Sequence, residues 1–363
     1  MRDYIREQGR AAISECDLFV GLDVDKSSIS VSVNNGQAVI RSLTMPYNSG
    51  NLLSFIDKHY SGERVMFAYE AGPTGFGLYD AIAGAGYECL VVSPGSIPDA
   101  PNNRVKTNRL DSKKLANLLS GKQLRGIRVP GLPIRELRSL VHLRYTYMQD
   151  IRAYKCRIKG ELLKEWLEFP RAPKGSQWTL RVVEALRNLK CSDTTSFKIN
   201  SMLDHLEHLG GQMRLAEIAL KSHINGNASL KLCIEYLMSC PGIGWRIACY
   251  ALARMGDWTC LGASKEAGAF FGLVPTENST GDRTDRGSIT RCGDPRLRSM
   301  LIQGAWAAIR KDHELRVFYE RICANHPKRV AARVAIVAVA RKLAERMHCI
   351  LKNQRSYEVH AGA

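Results

Sequence analysis

The sequence predicts an α/β domain followed by mainly helical parts. Three observations carry that expectation: an alternating apolar pattern from Leu18, a change of apolar period from two to about 3.6 near Ile134, and a length of 363 residues. Such a chain exceeds the ~100–200 residues of one ordinary core, which predicts two domains with connecting helices.

From Leu18, the positions Leu18, Val20, Leu22 and Val24 alternate with Phe19, Gly21, Asp23 and Asp25, the pattern of a half-buried strand. Ile29 to Val33 form a second strand running into Asn34-Asn35-Gly36, where positive φ is tolerated, and Val39 to Leu43 supply a third. Arg64 to Tyr69 predict another strand, ending at Glu70. The turn AGPTG follows, then a helix through Leu78 and Ile82 that stops at Gly84-Ala85-Gly86, and a strand from Cys89 to Val92. Beyond the loop SPGSIPDAPNN a helix runs from about Arg109 through Leu115, Leu118 and Leu119. A three-strand meander followed by alternating strand and helix is the order of an RNase H-like fold.

From Ile134, apolar residues recur at three- and four-residue steps (Leu137, Val141, Met148, Ile151, Ile158, Leu162, Trp166), predicting one helix to about residue 168 that carries seven Lys and Arg between Arg135 and Lys159. A second helix, Ile199 to Ile218, could return antiparallel after the loop PRAPKGSQ, packing within the chain or against a second copy. From Leu232 the chain reads as helical, interrupted by a loop-rich stretch from Val274 to Arg298. The expected divisions are a tail (1–17), the α/β domain (18–130), a helical coiled-coil region (131–231), a mainly helical C-terminal domain (232–350) and a second tail (351–363).

Lys and Arg number 52 against 35 Asp and Glu, a formal net charge of +17, and such a surplus suits a polyanion, with nucleic acid foremost. Val330 to Ala340, broken by Arg333, is far shorter than the ~20 residues that span a bilayer and reads as a buried helix. MRDYIREQGR has no apolar segment behind its charges, so a cytoplasmic, nucleoid-associated protein with no membrane partner is expected. Eleven scattered cysteines with no C-x-x-C pair predict reduced, mostly buried thiols.

Three constellations carry chemistry. Asp23 on the first strand, Glu70 at the end of a later one and Asp111 at a helix start occupy places that converge in an RNase H-like sheet. Carboxylates gathered there can hold Mg²⁺, which prefers hard oxygen ligands and polarises a phosphate. Asp25 is the competitor on the same strand face. The segment Pro241-Gly242-Ile243-Gly244 matches a helix-hairpin-helix turn, in which the N–H groups around Gly242 and Gly244 face a phosphate and Arg246 makes a further contact; an ordinary helix connection is the alternative. Between Gly272 and Arg298 small hydroxyl residues alternate with Arg283, Arg286, Arg291, Arg296 and Arg298. A Ser or Thr there can attack a phosphodiester, or the loop can simply grip the DNA backbone. Lys106 and Arg109 are expected backbone contacts beside the acids.

GLDVDK, YEAGPTG, IPDAPNNRVKTNRLDSKKLANLL, PGIGWRIA, FFGLVPTENSTG, RGSITRCGDPRLR and VAIVAVARKLAERM together resemble the DEDD transposases of the IS110 insertion-sequence family (IS116/IS110/IS902 type), to which the Piv-type DNA invertases are related. The resemblance implies a RuvC-like N-terminal domain, a coiled-coil middle and a C-terminal transposase domain. It also implies Mg²⁺ on Asp23, Glu70 and Asp111, and a hydroxyl at Ser279 or Thr280 that attacks double-stranded DNA at element ends and target. Implied partners are a non-coding bridge RNA and further copies of the chain, as dimers paired into tetramers. Two positions depart from the family pattern. Asn108 stands where the family has its third acid, so that an amide oxygen would join the metal set without adding charge. Thr280 directly precedes Gly281 while Ser279 lies one residue earlier; the less hindered primary hydroxyl of Ser279 is favoured. The other readings of the same residues are a RuvC-like nuclease or junction resolvase using water, and a non-catalytic nucleic-acid-binding protein.

Overall fold

A computed structural model describes residues 16–98, 108–171, 177–256, 258, 261–278 and 286–358. The chain divides into two compact units, Met1–Val129 and Pro130–Ala363.

The first unit is a five-stranded sheet in the order β3-β2-β1-β4-β5: β1 (Leu18–Val24), β2 (Ser28–Asn34), β3 (Val39–Pro46), β4 (Val65–Glu70) and β5 (Glu88–Val92). The first three are antiparallel, while β1, β4 and β5 run parallel. The β2–β3 turn forms as its Asn-Gly pair predicts: Gly36 has a φ of +91°, and the Asn35 side chain accepts the Gln37 and Ala38 N–H groups. Two helices, α1 (Ser49–His59) and α2 (Gly77–Gly84), set Leu52, Ile56, Leu78 and Ile82 against Val20, Leu22, Val31 and Phe67 on one side of the sheet. On the other, α3 (Asn108–Ser120) sets Leu115 and Leu119 against Phe19, Met66, Ala68 and Val92. The half-buried expectation for β1 is therefore corrected. Most of the strand is buried on both faces, because Phe19 and Gly21 lie under α3 instead of water.

Gly21 is the point of closest approach. A Cβ there would overlap the Ser112 carbonyl oxygen and the Ala116 backbone nitrogen, so only glycine lets α3 rest on β1. Beside it, β2 carries a buried polar row, Ser30, Ser32 and Asn34, facing the same way. Ser32 Oγ lies 2.9 Å from Ser112 Oγ and 3.0 Å from Ser42 Oγ, and Asn34 Nδ2 donates to Asn117 Oδ1 at 2.8 Å.

The second unit begins with two long helices, α4 (Leu132–Lys164) and α6 (Asp193–Asn225), with the short α5 (Leu180–Arg187) between them in sequence. Leu137 and Val141 of α4 share a core with Leu220 and Ile224, whereas Ile158 and Leu162 share another with Ile199 and Leu203, so the pair is antiparallel. No α4 residue is buried between Val141 and Ile158. That middle stretch is bridged by polar and aromatic pairs: Arg144 with Glu217 at 2.6 Å, and Tyr154 with His205 at a 4.4 Å ring separation. The helix ends at Lys164, short of the expected residue 168.

The larger core gathers around α7 (Ala228–Met238), α8 (Trp245–Met255), α9 (Ser264–Phe270), α10 (Pro295–Lys311), α11 (His313–Ala324) and α12 (Lys328–Asn353). The loop-rich stretch contains a small hairpin, β6 (Pro275–Glu277) with β7 (Arg286–Ile289). Helix α12 buries Ala335, Ile336, Val339 and Ala340 but leaves Val330 and Val334 exposed, so this stretch of it is one-sided rather than buried throughout. Asp312, 1% exposed, accepts from the Leu315 N–H as the α11 cap, from Arg346 at 2.6 Å and from the Tyr357 hydroxyl at 3.0 Å, and so ties α11, α12 and the C-terminal segment together. Of the ten described cysteines, all free, only Cys240 and Cys249 are buried, which corrects the expectation of mostly buried thiols. Among the described residues no helix is long and apolar enough to cross a membrane.

Candidate active site

Register and parity bring the predicted acids together. On β1, Phe19, Gly21 and Asp23 share the face toward α3; on the parallel neighbour β4, Met66, Ala68 and Glu70 do so. Leu22 pairs with Tyr69, which leaves Asp23 and Glu70 side by side one residue further along their strands. Helix α3 runs antiparallel to β1. Its Leu119 and Leu115 share a cluster with Phe19, its Ala116 and Ser112 touch Gly21, and its first turn, with Asn108 and Asp111, continues toward Asp23.

Electrostatics agree with that geometry. The Asp23 carboxyl is raised above the ordinary carboxylate range, first by burial and then by the negative charges of Asp111, Glu70 and Asp25 in that order. Asp25 lies exposed and accepts the Lys26 N–H, while Asp111 is half-buried and Glu70, Asn108 and Arg109 are exposed. Among the described residues no three Asp, Glu, His or Cys side chains stand close enough to form a ready-made metal cage. The donor set nonetheless suits a hard divalent cation: oxygen ligands only, on two adjacent strand ends and one helix start, around a carboxylate whose raised pKa a cation would reverse.

The basic residues of the second unit divide into two groups. Arg296 and Arg298 have partners inside the fold. The Arg296 guanidinium stacks 3.5 Å from the Tyr145 ring centre and reaches the Tyr250 hydroxyl, and Arg298 donates to the carbonyls of Phe271 and Cys292. Arg246 and Arg291 face outward; Arg246, 61% exposed at its side chain, pairs with Glu217 at 3.1 Å. Gly242 also serves the fold. With a φ of +86° it packs against Gly304 of α10, where a Cβ would overlap the Gly304 carbonyl oxygen. Gly244 instead caps the N-terminus of α8 with open space where a Cβ would project. Lys106, Ser279, Thr280 and Arg283 lie outside the described residues, as does the side chain of Arg286, whose backbone belongs to β7. The paired strands β6 and β7, tied by Thr276 Oγ1 donating to the Ser288 carbonyl, flank the segment that contains Ser279 and Thr280.

Family comparisons bear on both units. Residues 20–166 match the DEDD transposase model of the IS110 group, and residues 234–320 match the model described as transposase IS116/IS110/IS902 family. A putative transposase, y4qE, of Sinorhizobium fredii is 30% identical over 304 residues, covering 82% of this chain and 73% of its own length. The chain belongs to the IS110 family of transposases. Other relatives in the family are the transposase for insertion sequence element IS1533 of Leptospira borgpetersenii, 23% identical over 93% of this chain and 96% of its own, and that for IS1111A of Coxiella burnetii, 25% identical over 78% and 76%. The IS110-family match covers the acid-bearing strands and α3 in one block and the β6–β7 region in the other.

The residues that sequence reasoning missed are those beneath the acids: Gly21, Ser32, Ser112, Asn34 and Asn117. The signal was present in β2, where SISVSVN places polar residues at alternate positions, but periodicity alone reads such a face as solvent-exposed.

Proposed function

We propose that this chain cuts and rejoins double-stranded DNA as the transposase of an insertion sequence, using a RuvC-like acid site and a hydroxyl nucleophile. The reading rests on one observation above the rest: Asp23, Glu70 and the first turn of α3 meet at one end of the sheet, with Asp23 under the negative field of Asp111 and Glu70. Asp23, Glu70 and Asp111 would hold Mg²⁺, with Asn108 contributing an amide oxygen, and the bound cation would supply charge stabilisation at the scissile phosphate. A hydroxyl of Ser279 or Thr280 attacks phosphorus, the bond from phosphorus to the departing strand's oxygen breaks, and that strand leaves with the proton. The DNA end is then held as a protein phosphoester until a second strand's hydroxyl displaces it.

Arg246, Arg283, Arg286 and Arg291, with Lys106 and Arg109, are assigned to the DNA backbone, as are the N–H groups of the Gly244 helix start. Element ends and target are the DNA substrates. A bridge RNA on the basic face of α4 and a dimer that pairs into a tetramer complete the assembly we propose. Trapping decides the chemistry. With a nicked or suicide DNA substrate and Mg²⁺, we expect a protein–DNA adduct that survives denaturant and is absent from the Ser279→Ala/Thr280→Ala double variant. A free nick without adduct in the unsubstituted chain would instead identify water as the nucleophile.

A further inference from the structure

We infer that the Ser32–Ser112 hydroxyl pair, seated where Gly21 lets α3 touch β1, is a positioning device that fixes Asp111 over Asp23; the inference rests on the acid-site reading above. Proton counting gives the pair a direction. Ser112 Oγ donates its one proton to the Arg109 carbonyl at 3.1 Å, so Ser32 must donate to Ser112. Ser32 has then spent its own proton, so Ser42 on β3 donates to Ser32. The outcome is a directed row of hydroxyls that starts on the third strand and ends in the first turn of the helix bearing Asn108 and Asp111.

The row matters because the apolar contacts of α3 set which face of the helix is covered without tying it atom to atom at the turn that carries Asp111. Leu115, Ala116 and Leu119 are held by apolar burial, which is non-directional, and the Gly21 contact is smooth backbone. A turn of α3 far smaller than the ~100° between successive residues, too small to uncover Leu115 or Leu119, is enough to take the Asp111 carboxylate off the acid site. Ser112 is adjacent to Asp111 in sequence and is fully buried, as is Ser32. The Asn34–Asn117 bond, five residues further along α3, gives a second fixed point, so that both slide and rotation are blocked.

The test uses the full chain without DNA and reads Mn²⁺ binding by electron paramagnetic resonance, Mn²⁺ standing in for Mg²⁺ as another cation that suits oxygen ligands. Removing both members of a buried hydrogen-bonded pair can be nearly neutral for stability. The Ser32→Ala/Ser112→Ala variant is therefore expected to melt within a few degrees of the parent in EDTA while binding Mn²⁺ roughly tenfold more weakly, as loss of an outer-shell partner does. Unchanged Mn²⁺ affinity would overturn the positioning role. If the double variant does not fold, Ser42→Ala, which removes only the outermost donor, is read in the same way, with a smaller loss expected and an unchanged affinity again overturning the role. Asp23→Asn separates the two levels. If it binds Mn²⁺ as the parent does, the acid-site reading fails and takes this inference with it; if it loses binding while the serine variant does not, only the positioning role fails.

Discussion

The acid edge of the first unit and the arginine-rich region of the second treat charge in opposite ways. At the acid edge, strand register and a glycine contact bring Asp23 close enough to Asp111, Glu70 and Asp25 for each to raise its pKa, and the strain between like charges is left for something outside the protein to relieve. Around β7 and α10, arginines that look equally available in sequence are absorbed internally, Arg296 by two tyrosines and Arg298 by two carbonyls. A charged motif is thus a weaker functional candidate where the fold encloses its charged group with internal partners, as it does for Arg296 and Arg298.

The sharpest way to break this contrast is Asp23→Asn. It should lower DNA strand breakage by about 100-fold or more, given that even outer-shell partners of metal ligands are worth 10–100-fold, with no loss of melting temperature; a nicking assay beside a thermal melt checks both. Next in size is Asp312→Ala. Burial alone would raise the Asp312 carboxyl, but the Leu315 N–H, Arg346 and Tyr357 more than offset this and hold it below the ordinary range. Losing it leaves Arg346 without its buried partner, at a cost of ~3–5 kcal/mol in urea unfolding. A depressed carboxylate contributes stability above its unfolded pKa and loses it as pH falls through the folded value, so the parent's acid-side loss of stability should flatten in this variant.

Smaller effects separate the two glycines of the hairpin-like turn. Gly242→Ala should cost ~1–3 kcal/mol through its positive φ and the contact with Gly304, whereas Gly244→Ala should cost about 1 kcal/mol or less, both read by thermal unfolding. The smallest effect sharpens the comparison among the arginines. Arg246→Ala should reduce the slope of log affinity against log salt by about one, the loss of a single phosphate contact, and Arg296→Ala should leave that slope alone while lowering stability by ~1 kcal/mol. Filter-binding titrations at several salt concentrations would tell them apart, and an altered slope for Arg296→Ala would show that its tyrosine contacts do not keep it from DNA.

The first unit was largely legible because its strands are short alternating or apolar runs bounded by turn signals: β1, β2, β4 and β5 fall where those runs put them, and the parity of Asp23 and Glu70 follows from the side-chain alternation of any strand. Helix α1 was not foreseen; its short apolar set, Leu52 and Ile56, follows an Asn48 cap that resembles a turn. The polar floor under the acids was illegible for a different reason. Ser30, Ser32 and Asn34 read as solvent-facing until α3 is seen to cover them with Ser112 and Asn117. In the second unit, the hairpin of β6 and β7 is too short to announce itself, with three and four residues on either side of a long connection. Whether Arg298 serves DNA or the carbonyl of Cys292 depends on tertiary proximity that no local pattern encodes.

The unequal packing along α4 and α6 has a mechanical outcome. Apolar clusters grip the two helices at both ends, and across the interval from Val141 to Ile158, where α4 buries no side chain, polar and aromatic pairs join them. A beam clamped in this way bends at its middle before either clamp slips, because parting a half-buried ion pair and a few ring contacts disturbs less apolar surface than drawing leucines out of a core. The pair can therefore bow while each anchorage keeps its register, a compliant strut rather than a rigid rod.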